Sequence, residues 1–108
     1  MTTQKYDLTR GATLSLAGTC LLPSGTWTAS SQMKNAAGTV VAALDVTLEP
    51  LDTPTDEASH SLLLELDAAS TDALDVERHK SDVRFEDGDG TVLYSPTFVI
   101  NVLQEQTA

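Results

Sequence analysis

The feature that most constrains the fold is a pair of alternating runs near the end of the chain, joined by an acidic turn that contains glycine. In the first run, Val83 and Phe85 alternate with polar residues. The second run puts these apolar residues on one face: Val92, Tyr94, Phe98, Ile100 and Val102. Asp-Gly between such runs favours a hairpin, because glycine readily adopts the positive φ that the turn needs. The stretch 76–102 therefore predicts a C-terminal β-hairpin with the earlier strands packed around it.

The preceding segments also alternate between apolar and polar residues, which is typical of strands with one buried face. Residues 5–10 are predicted to form a short edge strand. The other predicted strands are Ala12–Leu22, Trp27–Met33, Thr39–Glu49 and Ser61–Asp67. Turn-forming residues separate them, as in Pro23-Ser24-Gly25. The pattern predicts about seven short strands.

Two connections and one strand position are predicted in more detail. The stretch LEPLDTPTDEASH (residues 48–60) is expected to be a loop of about ten residues that crosses from one sheet to the other. Residues 68–74 fit a single helical turn with Ser70 or Thr71 as its cap. Pro96 has no backbone N–H, so it predicts an edge position or a bulge in the last strand.

These elements predict an all-β fold, an immunoglobulin-like β-sandwich of about seven antiparallel strands with one short helical turn. We expect a single domain over residues 1–108 with short polar termini, because this length supports one hydrophobic core. Trp27, the only tryptophan, is expected to fill the centre between the two sheets.

The charge balance excludes some classes of partner. Sixteen acidic residues oppose six basic ones, for a net charge of −10. Nucleic-acid backbones and anionic membranes both require clustered Lys and Arg, so neither is expected as a partner. The charge fits either a soluble surface or a negative face that meets a basic partner. The start of the chain has no apolar run of signal-peptide length, so we expect synthesis in a cytosol.

Few residues indicate site chemistry. Cys20 is the only cysteine, so an internal disulfide is excluded, and its place in an alternating run predicts a small buried residue. The acidic turn 86–90 is the best calcium candidate through Asp87 and Asp89, but it lacks the spacing of an EF-hand loop and an ordinary solvated turn fits better. His60 and His79 lie in separate segments without the neighbours of a zinc site.

No catalytic motif emerges from the remaining polar residues. Residues 52–57 carry a second acidic cluster that is expected to be solvated. Asp72, Asp75 and His79 accompany Ser70 or Ser81 only as a chance triplet would, without a nucleophile elbow. We therefore expect no enzyme, no cofactor, and no catalytic or metal-binding residue.

The whole pattern resembles the small immunoglobulin-like proteins of tailed bacteriophages, including modules of baseplate and tail-associated proteins. The resemblance runs through RGATLSL, WTASSQMKNAAGTVVAALDV, SLLLELDAASTDAL and SDVRFEDGDGTVLYSPTFVINV. The matching residues are Gly38, Val40, Thr71, Leu74, Asp82, Val83 and residues 90–102. The chain departs from the family pattern at residues 77–80, where a "G-x-Y" often precedes the Asp-containing strand.

This resemblance implies a non-catalytic virion structural protein that acts as an interaction module in the tail, the baseplate or the head–tail region. A capsid decoration protein is the alternative, followed by a carbohydrate- or receptor-binding module. The implied partners are other virion structural proteins, with symmetric copies of this chain in the particle and a location in the virion after synthesis in a host cytoplasm. A sugar-binding module would need exposed aromatic rings, whereas at least four of the five aromatic residues have core parity.

Overall fold

The computed structural model describes residues 4–105, of which the strands form one large, nearly barrel-shaped sheet. The elements are β1 (Lys5–Thr9), β2 (Leu14–Cys20), β3 (Trp27–Lys34), β4 (Val40–Pro50), β5 (His60–Leu66), α1 (Ala68–Asp72), β6 (Arg78–Asp87), β7 (Val92–Tyr94) and β8 (Phe98–Leu103). This confirms the predicted all-β, sandwich-like fold with one short helix. In this part of the chain no helix is long and apolar enough to cross a membrane. The predicted loose termini lie mostly outside the described residues.

The strands follow the order β1-β8-β6-β3-β4-β5-β2, with β7 beside β6. Strand β4 joins the two halves, because its first part pairs with β3 and its second part, from Asp45 onward, pairs with β5. The predicted sheet-crossing loop is therefore wrong. Pro50 lies opposite His60, so residues 51–59 connect neighbouring strands of one sheet and β4 itself makes the crossing.

The two ends of the described chain are held together by β1 and β8, which run parallel. Leu8 lies opposite Val102, and the N–H of Arg10 donates to the carbonyl of Leu103 at 2.8 Å. β1 forms one edge of the strand order, as predicted, and β2 forms the other.

The core lies between the facing halves of the sheet. Met33 and Ile100 are completely buried, and Trp27 is 8% exposed at the start of β3. The indole N–H of Trp27 donates to the carbonyl of Pro23 at 2.8 Å, which satisfies its one polar atom. The tryptophan is buried as expected, although it lies near one end of the sandwich, opposite Asp87.

Two buried serines bring polar atoms into this core. The hydroxyls of Ser31 and Ser81 lie 2.8 Å apart between β3 and β6. Ser31 donates to the carbonyl of Asp82 and Ser81 donates to that of Gln32, each at 2.7 Å. Each hydroxyl has a backbone carbonyl that accepts its single proton, so the pair is accommodated without the cost of an unpaired donor.

The predicted C-terminal hairpin is confirmed. β6 and β7 are antiparallel, and Gly90 adopts a φ of 86° in the turn between them. One carboxylate oxygen of Asp87 accepts hydrogen bonds from the backbone N–H groups of Asp89 and Thr91, at 2.9 and 2.8 Å. This aspartate therefore serves the turn itself.

A β-bulge at Pro96 confirms the prediction for this residue. The bulge also reverses which side chains of the preceding strand face the core. Arg84 lies opposite Tyr94, and Ser81 lies opposite Phe98. Two residues of β6 therefore face the three residues 95–97, so one residue is extra. The extra residue moves Tyr94 to the outer face, where it is 63% exposed. The prediction that Tyr94 shares the core face of Phe98 is wrong for this reason.

The helical turn forms where it was predicted, but its cap is neither Ser70 nor Thr71. Asp67 is the N-cap, and its carboxylate accepts the N–H of Ser70 at 2.8 Å. Thr71 is completely buried and ties α1 to the β1–β2 turn: its hydroxyl accepts from the N–H of Gly11 and donates to the carbonyl of Ala12, at 3.2 and 2.7 Å.

Replacing Thr71 by valine should lower the free energy of unfolding by about 1–3 kcal/mol, because it removes a completely buried hydroxyl that bonds the N–H of Gly11 and the carbonyl of Ala12. Urea unfolding followed by circular dichroism measures the change. Thr47→Val on the exposed face of β4 is the matched control and should change stability little. Equal effects of the two substitutions would contradict the role assigned to Thr71.

The cap also predicts a pH dependence. Hydrogen bonds from Ser70 hold the pKa of Asp67 below its ordinary value. The carboxylate therefore stabilises the fold above the ordinary pKa, and this contribution is lost as the pH falls through the lowered value. Urea unfolding at a series of pH values should show wild type more stable than Asp67→Asn at neutral pH, with the difference shrinking in acid. A difference independent of pH would contradict this.

Candidate functional site

The most distinctive surface feature is a cleft on the open side of the sandwich, where the strand order ends. We call it the β1–β2 cleft, and its volume is about 550 Å³. Its walls come from β1, from β2 with the adjacent β5, and from the bulge before β8. The lining residues are Gln4, Tyr6, Leu16, Ala17, Gly18, Thr19, Leu62, Leu64, Val83, Ser95, Pro96, Thr97 and Phe98.

The floor of this cleft is part of the hydrophobic core. Val83 and Leu64 are 1% and 5% exposed, so a ligand in the cleft would rest on side chains that the fold already holds in place. Tyr6 and Phe98 meet edge to face with their ring centroids 6.0 Å apart, which stiffens the wall formed by β1 and β8.

The lining contains no charged side chain, although the protein carries a net charge of −10. Its polar atoms come from hydroxyls, one amide and the backbone. The hydroxyl oxygen of Ser95 accepts the N–H of Val83 at 2.8 Å, so it is engaged in holding the bulge. An apolar pocket of a few hundred cubic ångströms with a few polar groups has the usual character of a ligand site.

Gly18 leaves the cleft open at the middle of β2. Its position shares the inward face with Leu14 and Leu16, and a Cβ added there would meet no atom within 4 Å. Glycine inside a strand often marks a close approach by a ligand or another backbone. Here the missing side chain makes room on the inner face.

A second depression lies on the outer face of β3, β4, β6 and β7, with a volume of about 420 Å³. It is polar: Gln32, Asp82, Arg84 and the exposed Tyr94 line it. Arg84 lies 2.9 Å from Glu86, and both side chains are solvent-accessible. The hydrogen bonds of Arg84 with Glu86 and Tyr94 raise the pKa of its guanidinium. The side chains of Arg84, Glu86 and Tyr94 therefore serve as hydrogen-bond partners for one another on an open surface.

The acidic candidates do not converge. Residues 4–105 contain no group of three or more His, Cys, Asp or Glu side chains placed to hold a metal ion. The turn oxygen of Asp87 already accepts two backbone N–H groups. The acidic cluster of Asp52, Asp56 and Glu57 lies on the exposed β4–β5 loop.

His79 and Ser81, two members of the predicted chance triplet, both face the core. His79 Nδ1 lies 3.1 Å from the carbonyl of Glu77, which can only accept, so this nitrogen carries the proton. Among the described residues, Nε2 of His79 is the buried side-chain polar atom without a hydrogen-bond partner. The hydroxyl of Ser81 contacts that of Ser31, so Ser81 and His79 do not form a nucleophile and its base.

Cys20 lies directly opposite His60 at the end of β2. His60 Nδ1 is 2.7 Å from the hydroxyl of Ser59, which orients the ring. Burial raises the pKa of the Cys20 thiol, so the histidine does not make it a reactive thiolate. The cysteine is only partly buried, less than the sequence predicted.

The thiol should accordingly react slowly. We expect alkylation of Cys20 by iodoacetamide at neutral pH to be slower in the folded protein than in the urea-unfolded chain, because burial limits both thiolate formation and access. Mass spectrometry over time measures both rates. Faster reaction in the folded state would indicate an activated cysteine instead.

Comparison with known proteins supports the fold alone. No protein-family model and no curated protein match the chain. Among solved structures it is similar to CopC from Methylosinus trichosporium OB3b, with a TM-score of 0.51 and 15% sequence identity, over 98% of this chain and 90% of that chain. The class defined in this way is a small all-β sandwich of the kind seen in CopC.

The predicted role as a phage virion structural protein is wrong. CopC, a structural neighbour, is not a phage protein and points away from a virion role. The motifs behind the phage resemblance are turns and alternating strands, which small β-sandwiches share whatever their function. The capsid-decoration alternative rests on the same motifs and falls with it.

The cleft was missed at the sequence level because its residues are remote in sequence. β1, β2, β5 and the Pro96 bulge meet only in the folded chain. Two local signals were available: Gly18 occupies an inward position of an alternating strand, and Pro96 interrupts the last one. Neither signal indicates by itself that Gly18 and Pro96 line the same cleft.

Proposed function

We propose that this chain is a non-catalytic binding domain that takes an apolar ligand in the β1–β2 cleft. The observation that carries the proposal is an uncharged cleft of about 550 Å³ whose floor is the core itself. Apolar surface removed from water contributes roughly 25 cal/mol per Å², so filling such a cleft is a substantial driving force.

The chemistry of the lining supports binding rather than catalysis. It contains no carboxylate, imidazole, lysine or thiol, so no group there is suited to proton transfer near neutral pH. The walls are strands and a hydrogen-bonded bulge, which hold a preformed shape. A preformed apolar cleft loses little entropy when a ligand enters.

The test fills the cleft from Gly18. An uncharged environment-sensitive dye such as Nile red should bind the wild-type protein, and Gly18→Phe should weaken that binding about tenfold or more, because the ring occupies the space of the ligand. Stability should be kept or raised, since phenylalanine suits a strand better than glycine.

Gly88→Phe is the matched control. A Cβ at Gly88 also meets nothing within 4 Å, and the residue lies in the β6–β7 turn, away from the cleft. Fluorescence titration of the three proteins gives the affinities, and circular dichroism confirms folding. The proposal fails if Gly18→Phe is folded and binds the dye as tightly as wild type.

A further inference from the structure

Strand β2 is an unprotected sheet edge beside an apolar cleft. Proteins usually guard edge strands with charges, proline, bulges or short length. β1 carries Lys5 and Asp7, and β7 has three residues. β2 has seven residues, LSLAGTC, with no charge and no proline. Within the described chain it pairs only with β5.

The backbone N–H and C=O groups along β5 point alternately to its two neighbours, and their direction shows which residues of β5 bond β2. The N–H of Leu51 donates to the carbonyl of Ser59 at 2.9 Å, in register with the β4–β5 ladder. Alternate residues of an inner strand direct their backbone groups to opposite neighbours. The carbonyl of Ser59 thus indicates that Leu63 bonds β4, and that Leu62 and Leu64 bond β2. The N–H of Ser59, which precedes β5, donates instead to the carbonyl of Cys20 at 2.9 Å, so Cys20 of β2 faces β5.

The residues of β2 that bond β5 follow from the residues of β5 that bond β2. Gly18 lies opposite Leu62 and Leu16 lies opposite Leu64, so the backbone groups of Gly18 and Leu16 are used within the sheet. The residues whose backbone groups point to the open edge are Ser15, Ala17 and Thr19. Ala17 and Thr19 also line the cleft, although their side chains alternate to the outer face.

The opposite wall offers little competition for these groups. Pro96 has no N–H, the N–H of Ser95 donates to the carbonyl of Val83, and the N–H of Val99 donates to the carbonyl of Gln4. A chain that enters the cleft thus finds free donors and acceptors along β2 and apolar side chains below.

We infer that the ligand is an extended peptide segment of another protein, apolar at alternate positions and flanked by basic residues, which adds as a strand to the free edge of β2. The inference rests on the proposed function of the β1–β2 cleft and names its ligand. Main-chain hydrogen bonds would supply affinity, and the inner face would select the alternate side chains.

The charge decides against a second copy of this chain as the occupant. Two copies, each of net charge −10, repel each other, whereas a basic segment is attracted. The attraction is long-range, so it should weaken as salt screens it.

The test uses a synthetic peptide that alternates valine and threonine between flanking lysines, and its glutamate-flanked counterpart. Isothermal titration should show binding of the lysine-flanked peptide to wild type and weaker binding of the other, with the difference shrinking at high salt. Ala17→Pro removes a donor at the free edge and should weaken binding about tenfold. Ala17→Thr keeps the N–H and should bind the lysine-flanked peptide more tightly than Ala17→Pro does.

Amide hydrogen exchange gives an independent signature. The bound peptide should slow exchange at Ser15, Ala17 and Thr19, while Leu16 and Gly18 should change little because their N–H groups are already bonded. Protection of neither set, or equal binding to Ala17→Pro and wild type, would overturn the inference.

The remaining outcomes separate the two proposals. Nile red binding that Gly18→Phe abolishes, without any peptide binding, keeps the apolar-ligand function and rejects the peptide as its ligand. Dimerisation of wild type that Ala17→Pro abolishes, measured by light scattering, would replace the peptide by a second copy.

Discussion

The arrangement of the whole domain depends on the double pairing of β4. Its first half hydrogen-bonds to β3 and its second half to β5, so one strand belongs to both faces of the sandwich. This closes the sandwich along one side through continuous backbone hydrogen bonds. The opposite side has no such strand, and β1 and β2 end there as separate edges. The cleft exists because the sheet is closed on one side only.

The second determinant is the single extra residue at the Pro96 bulge. Because of this residue, side chains of the same alternating series face the core after the bulge and face outward before it. Phe98 and Ile100 pack inside, whereas Tyr94 lies in solvent. The bulge also forms one wall of the cleft, where its proline and its bonded N–H groups leave an apolar surface.

The interior tolerates several polar groups, and each has a structural task. Thr71 ties the helix to the β1–β2 turn, and Ser31 and Ser81 bond across β3 and β6. The imidazole of His79 is the exception, because one of its nitrogens is buried without a partner. These groups lie apart from the cleft lining, which is consistent with a division between a polar set that holds the fold and an apolar surface that is open to a ligand.

Much of the fold was predictable because strand formation is local. Three features appear where they were expected: the alternating strand from Trp27 to Met33, the Asp-Gly turn and the helical residues 68–74. Each depends on side-chain periodicity or backbone preference within a few residues. The role of residues 48–60 was not predictable, because a loop that stays in one sheet and a loop that crosses have the same composition. The cap at Asp67 is a choice among neighbouring polar residues that local preference leaves open.

The sequence by itself determined the all-β class, the position of most strands and the inward set of side chains, since these follow from a period of two residues. It did not determine the exposure of Tyr94, because one extra residue reverses a face and only pairing with β6 shows where it is inserted. The tertiary structure alone decided that β4 spans both faces and that Gly18 and Pro96 line one cleft. Those relations depend on contacts between distant segments, whose energies are set by the packing of the whole chain rather than by any short stretch of it.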